Sequence, residues 1–420
     1  MNRFILKEVI IDQKKNLDLV ERSLISRTVL NAFDKIHHNP FIIIITGIRR
    51  SGKSTLLRQF MEKRGGYYLN FDDDRLINFK VDDFQMLTEL FIELYGKESI
   101  YYLDEIQVIE GWETYVSRLH DSGNKVYVTG SNAAMLSKEM GTRLTGRHLQ
   151  LTLYPFSFYE FCIYNKIQVS DEKQLSTEDK SSLRMLFQKY LTTGGFPEYL
   201  LTENREYIKT LYNNIIYRDV IARYKLTSEQ TIKELMLHVS ANIAKEISYN
   251  SLKNVLRAGS ATTIKDYLSY ISNSYMIFLV PKFHFSIKSQ IYSNKKVYMI
   301  DTAMALMTGF RLSNDSGRLL ENTVCIELLR AGYELFYFRD KYECDFIALK
   351  NNEYTAMQVC YDLNEANRAR EISGLLEAMK KLDLNEGFLI TLGNDEDVIF
   401  EEKTIHIFSA FRWFLNTRFE

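Results

Sequence analysis

The spacing of apolar positions changes as the chain proceeds. From residue 41 to about 155, short β-branched and aromatic runs alternate with stretches of helical spacing. Phe41–Thr46 is almost wholly apolar, which predicts a strand buried on both faces. Tyr67–Phe71, Ser99–Leu103, Lys125–Thr129 and His148–Leu153 predict further strands. Asp82–Tyr95, with Phe84, Leu87, Leu90, Phe91 and Leu94 on one stripe, and Trp112–His120 predict helices. This alternation implies an α/β fold with a mostly parallel sheet and helices on both faces. Residues 1–40, mixed charged and apolar, predict one or two helices leading to Pro40. From Phe156 to about 235 the pattern is helical and aromatic, interrupted at Gly194-Gly195-Phe196-Pro197. The segment 236–300 predicts a small helical unit closing with a hairpin. Beyond Val297 the pattern returns to mixed α/β. Strands are expected at Glu334–Phe338, Cys344–Leu349, Thr355–Val359, Gly387–Thr391 and Thr404–Phe408, and an amphipathic helix at Arg368–Leu382. With 420 residues the chain is long for one core, and these shifts set expected domains at 1–155, 156–235, 236–300 and 301–420.

Composition narrows the picture little. Apolar residues make up 46% and charged residues 25%, ordinary for a globular protein, and a net charge of −1 gives no global case for nucleic acid. Any such surface must be local. The four cysteines (Cys162, Cys325, Cys344, Cys360) lack C-x-x-C spacing, which argues against a zinc site and a disulfide framework and fits a reducing, cytoplasmic location. Charges stand too early at the N-terminus for a signal peptide, and no apolar run approaches about 18 residues, so no membrane span is expected.

Chemistry enters at the end of the first strand. Gly47-Ile48-Arg49-Arg50-Ser51-Gly52-Lys53-Ser54 fits the phosphate-binding pattern G-x-x-x-x-G-K-[ST] at every fixed position, and Thr55 continues into a helical stretch. Strand, glycine loop and helix are the context that pattern needs, because loop N–H groups and the helix N-terminus then face one anion. Lys53 is expected to reach the β- and γ-phosphates of ATP, and the Ser54 hydroxyl to ligate Mg²⁺. Arg49 and Arg50 stay open between phosphate contact and solvent or a partner. Ile100–Leu103 then runs into Asp104-Glu105. Asp104 is read as holding Mg²⁺ through a water and Glu105 as polarising the attacking water. The next strand ends Thr129-Gly130-Ser131-Asn132, where Ser131 or Asn132 would orient the water or sense hydrolysis. Arg143 and Arg147 are candidates for an arginine finger, Arg147 preferred.

Together GIRRSGKST (47–55), YYLDEIQ (101–107), VTGSN (128–132), LTGR (144–147), LYPFSFYEF (153–161) and TGGFPEYL (193–200) resemble a family of prokaryotic AAA+-like ATPases with a C-terminal domain of unknown function. The resemblance implies ATP and Mg²⁺ binding, an additional-strand P-loop fold and a nucleotide-switched conformational cycle. It names no substrate.

Residues 236–285 resemble a winged helix: a short helix at Leu252–Leu256, a turn with Ser260 as N-cap, a second helix at Thr262–Ser272, and a wing beginning at Ile277–Lys282. Over 241–300 eight basic residues (Lys245, Lys253, Arg257, Lys265, Lys282, Lys288, Lys295, Lys296) face two acids, Glu246 and Asp266. That local field suits the backbone of double-stranded DNA, while a protein-binding or rigid packing role is the other reading. The last domain resembles a restriction-type nuclease core, with Glu321 and Asp345 as acids. Active members carry Glu-x-Lys on the following strand. Here Gln358 and Cys360 stand in those places, so the resemblance implies a degenerate domain kept for binding. Three functional readings emerge. The favoured one is an ATP-hydrolysing switch acting on DNA or a protein, with an oligomer required where a finger acts in trans. The others are an ATP-driven nuclease and an ATP-holding scaffold without turnover.

Overall fold

A computed structural model describes residues 1–19, 25–131, 146–167, 175–308, 316–393 and 395–416. The chain forms two units, Met1–Tyr154 and Pro155–Glu420.

In the first unit five strands form one sheet: β1 (Ile42–Thr46), β2 (Tyr67–Asn70), β3 (Ile100–Asp104), β4 (Lys125–Thr129) and β5 (His148–Thr152). Their order is β2-β3-β4-β1-β5, and every pair is parallel. β4 therefore lies between the strand that precedes the glycine loop and the strand that ends in Asp104, which is the additional-strand arrangement. The β1 isoleucines explain the sheet's place. Side chains alternate across a strand, so Ile42 and Ile44 enter one apolar cluster, with Leu69, Leu103 and Trp112, and Ile43 and Ile45 enter the other, with Leu56, Phe60 and Tyr127. The helix Arg3–Leu19 buries Leu6, Val9 and Ile10 in the first cluster.

The second unit begins with helices. Ser157 caps Phe158–Tyr164 reciprocally: its Oγ accepts the Glu160 N–H at 3.2 Å and its own N–H donates to the Glu160 carboxylate at 3.0 Å. Both glycines of Gly194-Gly195 follow the helix Thr177–Thr193 and answer close approaches. A Cβ on Gly194 would lie 1.9 Å from Asp301 Oδ1, and one on Gly195 would lie 2.3 Å from the Phe156 carbonyl oxygen. Three short strands come next, β6 (Lys245–Ile247), β7 (Ile277–Pro281) and β8 (Lys295–Met299), in the antiparallel order β6-β8-β7. The helices Tyr249–Val255 and Ala261–Asn273 come between β6 and β7, and Ser260 Oγ caps the second by accepting the Thr263 N–H at 3.0 Å. The expected hairpin is therefore one pair of a three-stranded sheet.

The C-terminal part is a mixed sheet of β9 (Glu334–Arg339), β10 (Glu343–Lys350), β11 (Glu353–Val359), β12 (Glu386–Thr391), β13 (Glu396–Phe400) and β14 (Lys403–Ser409). Its order is β13-β14-β12-β11-β10-β9. The helix Ser316–Arg330 precedes these strands in sequence, and Glu365–Lys381 comes between β11 and β12. β13 escapes the sequence pattern because it is an edge strand with no buried residue, so no alternation marks it. All four cysteines are free thiols and buried. No helix among the described residues is long and apolar enough to cross a membrane.

Candidate active site

Parallel pairing brings three strand ends to one edge of the first sheet. Ile45 pairs with Thr129 and Leu103 with Val128, so the chain leaves β1, β3 and β4 side by side. Open α/β sheets bind ligands at such carboxyl ends.

The loop after β1 needs its glycines. Gly47 has φ +137°, and a Cβ there would lie 2.2 Å from the Leu153 carbonyl oxygen. Gly52, at φ +96°, is the left-handed residue that opens the helix Lys53–Arg64. Arg50 is left-handed as well, at φ +67°. Ile48 is fully buried and anchors the loop. Lys53 is 4% exposed, and its Nζ donates to the Gly47 carbonyl at 3.1 Å and the Ile48 carbonyl at 3.0 Å. Ammonium, loop and helix N-terminus thus gather positive potential at one place. Ser51 is buried, Arg49, Gly52 and Thr55 are half-buried, and Arg50 and Ser54 are exposed.

Asp104 is wholly buried at the tip of β3. Hydroxyls surround it: Tyr68 donates at 2.9 Å, Thr129 donates a short hydrogen bond, and Ser54 is a further partner. Burial raises its pKa and the neighbouring Glu105 charge adds to that, against the lowering effect of the Thr129, Ser54 and Tyr68 hydroxyls. A divalent cation held between the Ser54 hydroxyl and this carboxylate would reverse that shift, and hard oxygen donors are what Mg²⁺ requires. The residues present fit the ion.

Glu105 follows in a left-handed conformation, φ +51°, which is strained for a residue with a side chain. Two contacts hold it there. Its N–H donates to Thr129 Oγ1 at 2.8 Å, and its carboxylate accepts from Gln107 Nε2 at 2.5 Å. Thr129 therefore ties the backbone of one acid to the side chain of the other.

Beyond β4, Ser131 is 2% exposed, and its Oγ has no hydrogen-bond partner among the described residues. Asn132 and Arg143 lie outside the described residues. Arg147, expected as a finger in cis or in trans, stands apart from the glycine loop of its own chain. It precedes β5, its carbonyl accepts from the Ile42 N–H at 3.0 Å, and its guanidinium pairs with Asp121 at 2.6 Å. Ile42 begins β1 and Thr46 ends it, so Arg147 sits at the far edge of the sheet, about 13 Å of strand from the glycine loop. It takes no part in this chain's own site.

Sequence reading missed four residues. Arg27, 3% exposed, donates to the Ser51 carbonyl at 2.8 Å and the Tyr154 carbonyl at 2.7 Å, bracing the loop against the end of the unit. Thr129, Tyr68 and Gln107 position the two acids. Only Thr129, a polar residue ending an apolar strand beside the acidic one, carried a signal that could have found it.

At the C-terminal sheet, Glu321 and Asp345 come together on the Lys296 ammonium. Gln358 spends both ends of its amide on the protein: its Oε1 accepts the Asp345 N–H at 3.0 Å and its Nε2 donates to Glu371 at 2.6 Å. The Cys360 thiol turns to the Asp362 carbonyl at 3.4 Å, and burial pushes its pKa up to about 11.

Comparison with known proteins places these features in a family. Residues 39–162 match an AAA domain, 184–314 a domain of unknown function (DUF8612), and 316–411 another domain of unknown function (DUF4143). An uncharacterized protein of Methanocaldococcus jannaschii is 35% identical over 421 aligned residues, spanning 96% of this chain and 92% of that one. The chain belongs to a family of prokaryotic proteins that join an AAA domain to a C-terminal domain of unknown function. An uncharacterized Haemophilus influenzae protein, 30% identical across 82% of this chain and 89% of its own length, is a second relative. Among solved structures, the RuvB Holliday junction branch migration motor of Thermotoga maritima is similar over 66% of this chain and 94% of its own, at 14% identity and a TM-score of 0.28. A likeness that weak says nothing about what this chain acts on. The AAA domain makes nucleotide binding and hydrolysis the chemistry to expect of the first unit.

Proposed function

We propose that this protein is an ATP-hydrolysing molecular switch. The observation that carries the reading is Asp104, which accepts from both Ser54 of the glycine loop and Thr129, with the Glu105 N–H bound to that same Thr129 hydroxyl. Loop N–H groups from Gly47 to Thr55 and the Lys53 ammonium bind the phosphates of ATP. Ser54 and Asp104 hold Mg²⁺, which when bound neutralises charge on the phosphate oxygens. Glu105 accepts a proton from water as its oxygen attacks the γ-phosphorus and the bond to ADP breaks. Ser131, whose buried hydroxyl has no partner among the described residues, contacts the γ-phosphate or the attacking water. Arg27 links the loop to Tyr154, the last residue of the first unit, and offers a route by which nucleotide state is transmitted along the chain beyond Tyr154.

Lys53→Ala tests the binding half. Removing a charge-assisted contact worth about 1.5–3 kcal/mol should weaken ATP binding by about 10- to 100-fold in equilibrium titration. Unchanged affinity would remove Lys53 from the site.

For the partner, the region 241–300 favours an anionic surface such as double-stranded DNA. Lys245, Arg257, Lys265 and Lys288 are exposed there, although Lys296 is buried and does not contribute. The ATPase rate should rise with double-stranded DNA and the rise should shrink with salt. Absence of any salt-sensitive stimulation would point to a protein partner.

A further inference from the structure

The nuclease-type resemblance implies a divalent metal between the acids of the C-terminal domain, and the residues there do not fit one. Glu321, on the helix Ser316–Arg330, converges with Glu343 and Asp345 of β10. Lys296 of β8 enters the space between them. Its Nζ lies 2.9 Å from Glu321 Oε1, 2.7 Å from Glu343 Oε1 and 3.0 Å from Asp345 Oδ1. Lys296 is 2% exposed, and Glu321 and Asp345 are buried with it, while Glu343 reaches partly to solvent.

An ammonium has three N–H donors, and three carboxylates take them. Other lone pairs are engaged as well. Glu321 Oε1 accepts the Tyr298 hydroxyl at 2.7 Å, and Asp345 Oδ2 accepts the Val359 N–H at 3.0 Å. Burial opposes charge on Lys296, but Glu321, Asp345 and Glu343 outweigh it and hold its pKa well above the ordinary lysine range. Mg²⁺ would need the same oxygens at about 2.0–2.1 Å with octahedral geometry, so metal and ammonium compete for one position. The lysine absent from the Glu-x-Lys place is thus present in space, carried by a different strand and seated at the cation position itself.

We infer that Lys296 is a built-in cation that replaces the divalent metal of a nuclease-type centre, converting its carboxylates into a latch that holds β8 to β10 and the helix Ser316–Arg330. Removing one partner of such a buried cluster leaves uncompensated charge, which makes the latch strong and a substitution in it costly.

The test uses the full chain, without nucleotide, and Mn²⁺ as the probe. Calorimetric titration should find the same Mn²⁺ binding in the wild type and in Asp345→Asn. Lys296→Ala should gain a Mn²⁺ site, and Lys296→Ala/Asp345→Asn should lose it again. In thermal melts Lys296→Ala should fall below the wild type and recover part of the loss with Mn²⁺. Wild-type Mn²⁺ binding that Asp345→Asn abolishes would overturn the inference. So would a folded Lys296→Ala that gains no site. Should Lys296→Ala fail to fold, the comparison of wild type with Asp345→Asn decides alone: equal binding supports the inference and unequal binding sinks it.

Discussion

Thr129 is the residue at which the two acids of the site are joined, since it accepts from the Glu105 N–H and donates to the Asp104 carboxylate. Thr129→Val keeps the shape and removes the hydroxyl. It leaves Glu105 strained and held by Gln107 alone and Asp104 with one donor fewer, so turnover should fall by about 10- to 100-fold while ATP affinity moves little. Measured kcat and nucleotide Kd separate these effects; equal losses in both would mean that Thr129 serves only the fold. The same residue shows what sequence can and cannot say at this scale. Lys53, Ser54, Asp104 and Glu105 follow the pattern that phosphate and metal chemistry would demand of those places. Arg27 and Tyr68 act by reaching across from elements distant in sequence, so no local spacing marks them. Arg147 could not be placed for the converse reason. It is near the motif in the chain but at the wrong end of a parallel strand, and only pairing of Ile42 with His148 reveals that.

At the scale of elements, the alternation of strands and helices in the first unit was legible because β1, β3 and β4 are buried on both faces and read as apolar runs. β13 was not, because it has no buried face. The glycines of Gly194-Gly195 could be seen in sequence but not explained, since what they make room for, Asp301 and Phe156, is remote. Asp301 supplies a prediction there. Burial raises its carboxyl to about 6, against the lowering effect of N–H bonds from Gly195 and Ala303. Because the folded state holds this proton more tightly than the unfolded chain, the contribution of Asp301 to stability is greatest below about pH 4 and is lost as pH rises through about 6. Over the whole range a shift of this size corresponds to about 3 kcal/mol. Between about pH 5 and about pH 7.5 the wild type should lose about 1 kcal/mol more than Asp301→Asn in denaturant titrations. Parallel pH profiles for the two proteins would show that Asp301 titrates normally.

At the scale of the whole molecule, one chain combines a site built for nucleotide turnover with a C-terminal centre whose cation is its own lysine. The AAA domain suggests ATP binding and hydrolysis; coupling to a partner is our proposal, as is the role of Lys296, beside Gln358 and Cys360, in disfavouring nuclease chemistry. The first conclusion was legible in short motifs that follow one another at the ends of neighbouring strands, Gly47–Ser54 and Asp104-Glu105. Sequence reading missed the basis of the second because Lys296 belongs to a different strand from the motif it completes, and was counted instead as surface charge. The central claim is that Glu105 activates water. Its most direct test is single-turnover phosphate release from bound ATP by the wild type and by Glu105→Gln. The wild type should release phosphate, and Glu105→Gln should bind ATP with similar affinity yet release phosphate at least about 100-fold more slowly. Equal rates of release from the two proteins would contradict it.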